Sequence, residues 1–323
     1  TRQRIMALCD EYQFRPKFFA QALASGKTYT VGLISEDLES MINSPTFSQF
    51  VSFLAQELKN NNYTLSVLPV SDHDPETIDK EILHTFYSCR MDGFVLSSNT
   101  VGTLTLKELA SGKFPVVTYQ MPSDICNPMP VTSVRIDNRN AYRELLRHLK
   151  ETGRRRFVII GMGNSNNSRH EQCRKCASEL NLAIQDSDVL LLPKEEVRAE
   201  PTLGTYLAVL KHWEKLKQYD AWIMSNDLMA RGACAALRHF RYEPGREIAV
   251  TGYDNMEESR LYLFQKPMLT TIRPPLNLLG TTCAQLLLEQ IRAPGAGSKE
   301  IKLHSELVIR QSSHQTNYKE EAP

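Results

Sequence analysis

The chain has 323 residues, 41% hydrophobic and 23% charged, with 38 basic against 37 acidic side chains for a formal net charge of +1. That length supports two domains with their own cores, and so even a balance singles out no class of partner by bulk electrostatics. No stretch approaches the ~18 consecutive apolar residues of a membrane span. The opening Thr1-Arg2-Gln3-Arg4 does not read as a secretory leader, and seven scattered cysteines fit a reducing compartment better than a disulfide framework. A cytoplasmic protein without a membrane partner is expected.

Residues 2–14 read as one amphipathic helix with Ile5, Met6, Leu8, Cys9 and Tyr12 apolar. Residues 15–26 follow as a short helix: Pro16 suits a first helical position, residues 18–23 have helical spacing, and Ser25-Gly26 supplies a stop. So short a helix does not persist alone in water. Arg15, Lys17 and Lys27 flank it, and with Arg2 and Arg4 they outnumber Asp10 and Glu11. The segment therefore reads as one that orders on docking, with a polyanion such as nucleic acid as the candidate surface.

From Tyr29 short apolar strands alternate with helices of 3.6-residue period. Strands are expected at 30–34, 64–70, 93–97 and 115–119, with a helix through Phe47, Phe50, Val51, Leu54 and Leu58 among the connections. The pattern repeats with strands near 157–161, 189–192, 221–225 and 248–251, and helices near 169–180, 203–216 and 228–240. Two α/β lobes, each a parallel sheet covered on both faces, follow. An apolar helix through Leu276, Leu279, Leu286, Leu287 and Leu288 leads to a loop at 294–297 and a last strand at 306–310, before a polar tail.

In open α/β sheets ligands bind beyond the carboxyl ends of the strands. Ser225-Asn226-Asp227 and Gly252-Tyr253-Asp254-Asn255 both follow strands. On residue type alone Asn226 and Asp227 equally suit a helix N-terminus and Asp254 a turn. Arg169 opens a helix, where a guanidinium grips vicinal hydroxyls or a carboxylate, or lies on a solvated face. His170, Cys173 and Cys176 have a spacing that could present ligands to zinc, but no second Cys or His pair completes a tetrahedral set, so no metal site is assigned. Gly26-Lys27-Thr28 precedes a strand and has Gln21 where a phosphate-binding loop needs glycine; Gly161-Met162-Gly163 lacks the third glycine of a dinucleotide fingerprint. No nucleophile has a legible base, so no enzyme and no cofactor are expected.

Pro16, Ala20, Leu23 and the following residues 28–32 resemble the hinge of LacI/GalR-type transcription regulators, and the resemblance continues to about Ser313. It implies a periplasmic-binding-protein-like sensor of two doubly wound parallel-sheet lobes joined by three crossovers. Residues 1–14 would be the last helix of a truncated helix-turn-helix head, with two more helices before Thr1, and 15–27 the hinge. The first lobe would take 28–137 plus 267–298, the second 138–266 plus 299–313, and the tail 314–323. It further implies a homodimer on operator DNA, with Arg15, Lys17, Gln21 and Leu23 at the DNA and Leu23 prying apart a base step. Lys17 stands where Asn is usual and Gln21 where Arg is common. For a small polar effector, a sugar or sugar derivative, it points to Ser44, Phe47, Gln120, Arg169, Asn226 and Asp254. Gln120 occupies a position usually held by Asp, and residues 198–200 replace a common stacking aromatic. The expected function is a ligand-responsive transcription regulator; the alternative is an extracytoplasmic solute-binding protein of the same fold.

Overall fold

A computed structural model describes residues 2–13, 22, 24–36, 44–70, 75–88, 91–97, 103–119, 131–163, 168–197, 199–258, 267–295 and 297–314. Helix α1 (Arg2–Glu11) is followed by β1 (Thr30–Glu36), α2 (Pro45–Asn60), β2 (Thr64–Val70), α3 (Pro75–Tyr87), β3 (Gly93–Ser97), α4 (Thr103–Ala110), β4 (Val116–Tyr119) and β5 (Ser133–Asp137). Then come α5 (Arg139–Glu151), β6 (Phe157–Met162), α6 (Ser168–Glu179), β7 (Val189–Leu192), α7 (Lys194–Val197), α8 (Pro201–Lys211), α9 (Trp213–Leu216), β8 (Ala221–Met224) and α10 (Asp227–His239). The chain continues through β9 (Ala249–Tyr253), β10 (Thr270–Arg273), α11 (Leu276–Arg292), β11 (Glu300–His304) and β12 (Glu306–Val308).

The strands form two six-stranded sheets, β11-β5-β4-β3-β1-β2 and β12-β10-β9-β8-β6-β7. In each, the first strand lies inside with the second on one flank and the third on the other, all in parallel register. The connections therefore reverse direction between β1 and β3 and between β6 and β8, which opens a crevice at the carboxyl ends of those strands. Sheet membership changes three times along the chain: after β5, at β11 and at β12. Among the described pairings, β12 runs antiparallel, on β10.

Two-sided burial explains the sequence of the second sheet. β8 and β9 are buried at every residue, so they read as near-continuous apolar runs. Successive residues serve opposite faces. Phe157, Ile159, Ala221, Ile223 and Ala249 pack with Tyr142, Leu145 and Leu149 of α5 and Cys173 and Cys176 of α6. Val158, Ile160, Trp222, Met224 and Val250 pack with Ala208 and Val209 of α8 and Met229, Ala233 and Leu237 of α10. In the first sheet, Ile34, Phe94, Leu96 and Val116 pack with Ile78, Ile82 and Phe86 of α3.

Helices α8 and α10 meet through glycine. A Cβ at Gly232 would lie 2.2 Å from the Thr202 carbonyl oxygen of α8, and, where α8 meets α7, one at Gly204 would lie 2.1 Å from that of Glu196. Backbone on the far side cannot rotate away. Gly232→Ala is accordingly expected to destabilise the chain by about 1–3 kcal/mol, as overpacking does. Urea titration followed by tryptophan fluorescence checks it; an unchanged midpoint would show that α8 is free to shift.

The structure departs from the sequence reading in three places. The helix expected over 203–216 is two, α8 and α9, separated at His212; the break lets Trp213 stack on Phe240 with ring centroids 3.9 Å apart. Strands β5, β10 and β11 were not anticipated. In β10 the reason is chemical: its buried residues include Thr270 and Thr271, whose hydroxyls bond Ser313 and Asp227, so apolar patterning is absent. Finally, 267–298 does not belong to the first lobe as a block. β10 joins the second sheet, and the two compact units are Thr1–Leu38, Val51–Val134 and Gly280–Glu300, and Glu39–Phe50, Arg135–Leu279 and Ile301–Pro323.

Candidate functional site

At the carboxyl edge of the second sheet, β6 runs into Gly161-Met162, β8 into Ser225-Asn226, β9 into Tyr253-Asp254, and α6 begins at Ser168. Arg169, on the first turn of α6, is held from three sides. Its guanidinium lies over the Tyr253 ring, 3.7 Å from the centroid. Its Nη1 donates to the Ser225 carbonyl at 3.2 Å and lies 3.9 Å from Asp254 Oδ1. Stacking and a backbone acceptor fix the plane of the group, leaving the ion pair too long for a hydrogen bond.

Asp254 sits in strained backbone. Its φ is 115° and that of Asn255 is 54°, a pair of left-handed residues without glycine that persists only where the surroundings enforce it. Asp254 N–H donates to the Ile272 carbonyl at 2.8 Å, Arg310 Nη2 to Asn255 Oδ1 at 2.6 Å, and Met256 N–H to Asp227 Oδ2 at 2.7 Å. So clamped, the Asp254 side chain is 11% exposed and its carboxylate accepts no hydrogen bond from the described residues. Burial pushes its pKa up to about 6, with the Arg169 charge opposing.

Asp227 lies beneath, fully buried. Thr271 Oγ1 donates to its Oδ1 at 2.6 Å. Burial, then the Asp254 charge, raises its pKa to about 8. Gly252 makes room for it, since a Cβ there would lie 2.1 Å from Asp227 Oδ1. Asn226 caps α10, its Oδ1 accepting from Met229 N–H at 2.8 Å, while its side-chain amide nitrogen has no partner among the described residues. Tyr253 is buried, and its hydroxyl donates to Asn138 Oδ1 at 2.9 Å. Asn138 starts α5 without capping it and also accepts from Ser305 Oγ at 2.6 Å.

The structure thus brings Arg169, Asn226 and Asp254 to one sheet edge. Ser44 is engaged locally at the start of α2, its Oγ 2.8 Å from Thr46 Oγ1, and Phe47 is nearly buried with its ring tilted against Phe50. Gln120, Arg15, Lys17, Gln21 and Leu23 lie outside the described residues. Sequence reasoning missed Tyr253 as the platform under Arg169 and gave Asp227 no role beyond a helix start. It weighed His170 with Cys173 and Cys176; both cysteines are buried in the core against α5, and His170 turns to Ser225. Among the described residues no group of three metal-ligating side chains occurs.

Comparison with known proteins agrees with this architecture. Residues 146–313 match the periplasmic binding protein-like domain family. The chain is 26% identical to the HTH-type transcriptional regulator MalR of Clostridium butyricum, over 97% of this chain and 90% of that protein. It is 22% identical to catabolite control protein A of Priestia megaterium over the same shares. The fold superposes with a TM-score of 0.79 on a lac repressor dimer bound to operator and the anti-inducer ONPF, at 20% identity and covering 97% of this chain and 90% of that one. The chain belongs to the periplasmic binding protein-like family and, within it, to the LacI/GalR-type transcription regulators.

Proposed function

We propose that the protein senses a small polyhydroxylated molecule, a sugar or sugar derivative, through Arg169, Asn226 and Asp254, and that this binding sets its affinity for operator DNA as a cytoplasmic homodimer. The observation that carries the reading is the Asp254 carboxylate, buried beside a stacked guanidinium yet without a hydrogen-bond donor among the described residues. Ligand hydroxyls supply such donors, and Arg169 supplies donors in return. Structures of two LacI family regulators from Enterococcus carry bound ribose, with TM-scores of 0.69 and 0.70 and 22% and 24% identity to this chain. Ser44, Phe47 and Gln120 are proposed to complete the ligand contacts. Coupling follows from linkage: a ligand that favours one conformational state changes operator affinity by the same factor as operator changes ligand affinity, commonly worth about 1–3 kcal/mol. A thermal-shift screen of sugars, sugar phosphates, nucleosides and sugar acids, with calorimetry on the hits, tests it. Failure of every class removes the reading.

At the DNA end, Arg15, Lys17 and Gln21 are proposed to meet the backbone and Leu23 to wedge a minor-groove step. Leu23→Ala is expected to remove much of the specific operator affinity. It should leave phosphate attraction, ligand affinity and melting temperature nearly unchanged. Operator and ligand titrations on both proteins decide; equal losses in the two would place Leu23 in the core.

A further inference from the structure

His170 follows Arg169 on α6 and lies across the backbone of β6. A Cβ at Gly161 would fall 2.2 Å from His170 Cε1, 2.4 Å from its Nε2 and 2.3 Å from Ser225 Oγ. The imidazole therefore occupies the reversal point between β6 and β8, and only glycine at 161 leaves room for it. Its Nε2 is 2.5 Å from Ser225 Oγ. Ser225 is also the residue whose carbonyl Arg169 grips, and it immediately precedes Asn226. An apolar side chain would fill this space without the cost of burying a ring with two polar nitrogens.

The hydroxyl bears on which nitrogen carries the proton. Ser225 Oγ has a second acceptor, the Ile160 carbonyl, but at 3.4 Å against 2.5 Å to the imidazole. The hydroxyl is thus engaged by the imidazole far more closely than by the carbonyl. With Ser225 as the donor to Nε2, the neutral ring carries its proton on Nδ1. Burial and the adjacent Arg169 charge lower the His170 pKa to about 4, so the ring stays neutral and keeps that tautomer at ordinary pH. Nδ1 has no partner among the described residues.

Resting on the ligand reading of this sheet edge, we infer that His170 is a further specificity-determining residue. Locked by Ser225, it offers one Nδ1–H donor to a ligand oxygen beside the group held by Arg169 and Asp254. The ligand it selects has an acceptor oxygen, a hydroxyl or ring oxygen, next to the hydroxyl pair that those two residues take. A ligand lacking that oxygen leaves a buried donor unpaired, the situation in which a site discriminates most strongly.

The test uses the whole chain and, as probes, a panel of monosaccharides with their singly deoxygenated analogues, titrated by calorimetry into wild type, His170→Leu, Ser225→Ala and Asp254→Asn. Imidazole 15N signals are read in parallel. The expected result is an Nδ1–H tautomer whose signals move on saturation, and an affinity lowered by about tenfold in His170→Leu, the loss of one hydrogen bond. One deoxy analogue should bind wild type about tenfold worse than its parent, yet lose little more in His170→Leu. Ser225→Ala should shift the tautomer and weaken the same probe. Equal affinities in His170→Leu for every probe, with unmoved imidazole signals, would overturn the assignment while loss of binding in Asp254→Asn left the ligand reading standing. If no probe binds wild type, the ligand reading falls and this one with it. Should His170→Leu fail to fold, titration of His170→Gln and the 15N signals of wild type decide between the same two outcomes.

Discussion

Between pH 6.5 and 8 the unfolding free energy of the wild-type chain is expected to fall by about 2 kcal/mol, the linkage value for one strongly raised carboxyl, and to stay nearly level in Asp227→Asn. Asp227 has a folded pKa of about 8, far above the ordinary carboxylate value of about 3.9. The folded state therefore keeps a proton that the unfolded state has released, and stability declines as pH rises through that window. Asp254, raised to about 6, acts with the same sign but only up to its own pKa. His170 acts oppositely: its pKa is lowered to about 4, so the unfolded chain holds the extra proton and stability rises with pH up to about 6.5. His148 is also lowered by burial and works in that direction; Glu179 is held low by Arg139 and Arg143, and Glu258, against the upward push of burial, by Asn255, Arg273 and Arg310, so both act at pH below the window. Above pH 6.5 the unfolded histidines release their last protons, and toward pH 8 the thiols of Cys173, Cys176, Cys234 and Cys283, pushed up by burial, act in the Asp227 direction, so the difference between wild type and Asp227→Asn reports Asp227.

Asparagine fits the same place. Its oxygen accepts from Met256 N–H, and its amide donates to Thr271 Oγ1, whose hydroxyl turns to the Ile272 carbonyl 3.5 Å away. Asp227→Ala instead leaves the Met256 N–H buried without an acceptor, which costs about 1–3 kcal/mol before any cavity is counted. Urea unfolding followed through Trp222, fully buried in the adjoining core, distinguishes the three proteins. Equal slopes in wild type and Asp227→Asn would mean that Asp227 is ionised in the folded state.

The fold was legible where burial is two-sided and aliphatic. Val158, Ile159 and Ile160 or Trp222, Ile223 and Met224 read as strand because both faces of the sheet are covered, and repetition of the pattern announced a second lobe. It was illegible where hydroxyls replace methyls, as in β10, whose Thr271 is buried because Asp227 bonds it and not because it is apolar. The site divides in the same manner. Arg169, Asn226 and Asp254 could be named as candidates because each follows a strand or opens a helix in a motif that the family resemblance picks out, and the structure sets them at one sheet edge. Tyr253 and His170 act through what they touch, an arginine face and a serine hydroxyl, and nothing in local spacing states those contacts. Gly161 drew notice as an incomplete dinucleotide fingerprint; it leaves room for a ring nine residues later in the chain.

Asp254→Asn is expected to weaken ligand binding about ten- to hundredfold, the value of hydrogen bonds to a charged acceptor, and to remove the pH dependence of what remains. The wild-type carboxylate is held near a pKa of about 6 by burial, with Arg169 pulling it down. Once protonated it accepts less well from ligand hydroxyls and no longer balances the guanidinium 3.9 Å away. Affinity in wild type should therefore be level above pH 7 and fall as pH drops below 6, by up to tenfold per unit. Ligand hydroxyls that donate to the ionised form lower its pKa in the complex, so the decline begins at the pKa of the free protein. His170 stays neutral down to about pH 4 and contributes nothing to this slope. The backbone should tolerate the change, because Asn adopts left-handed conformations more readily than most residues and the Asp254 N–H bond to Ile272 is kept. Calorimetric titration of the ligand at pH 5, 6, 7 and 8 measures both effects. A wild-type affinity that stays level down to pH 5, or an Asp254→Asn variant that binds like wild type, would show that the carboxylate serves the strained turn and not the ligand.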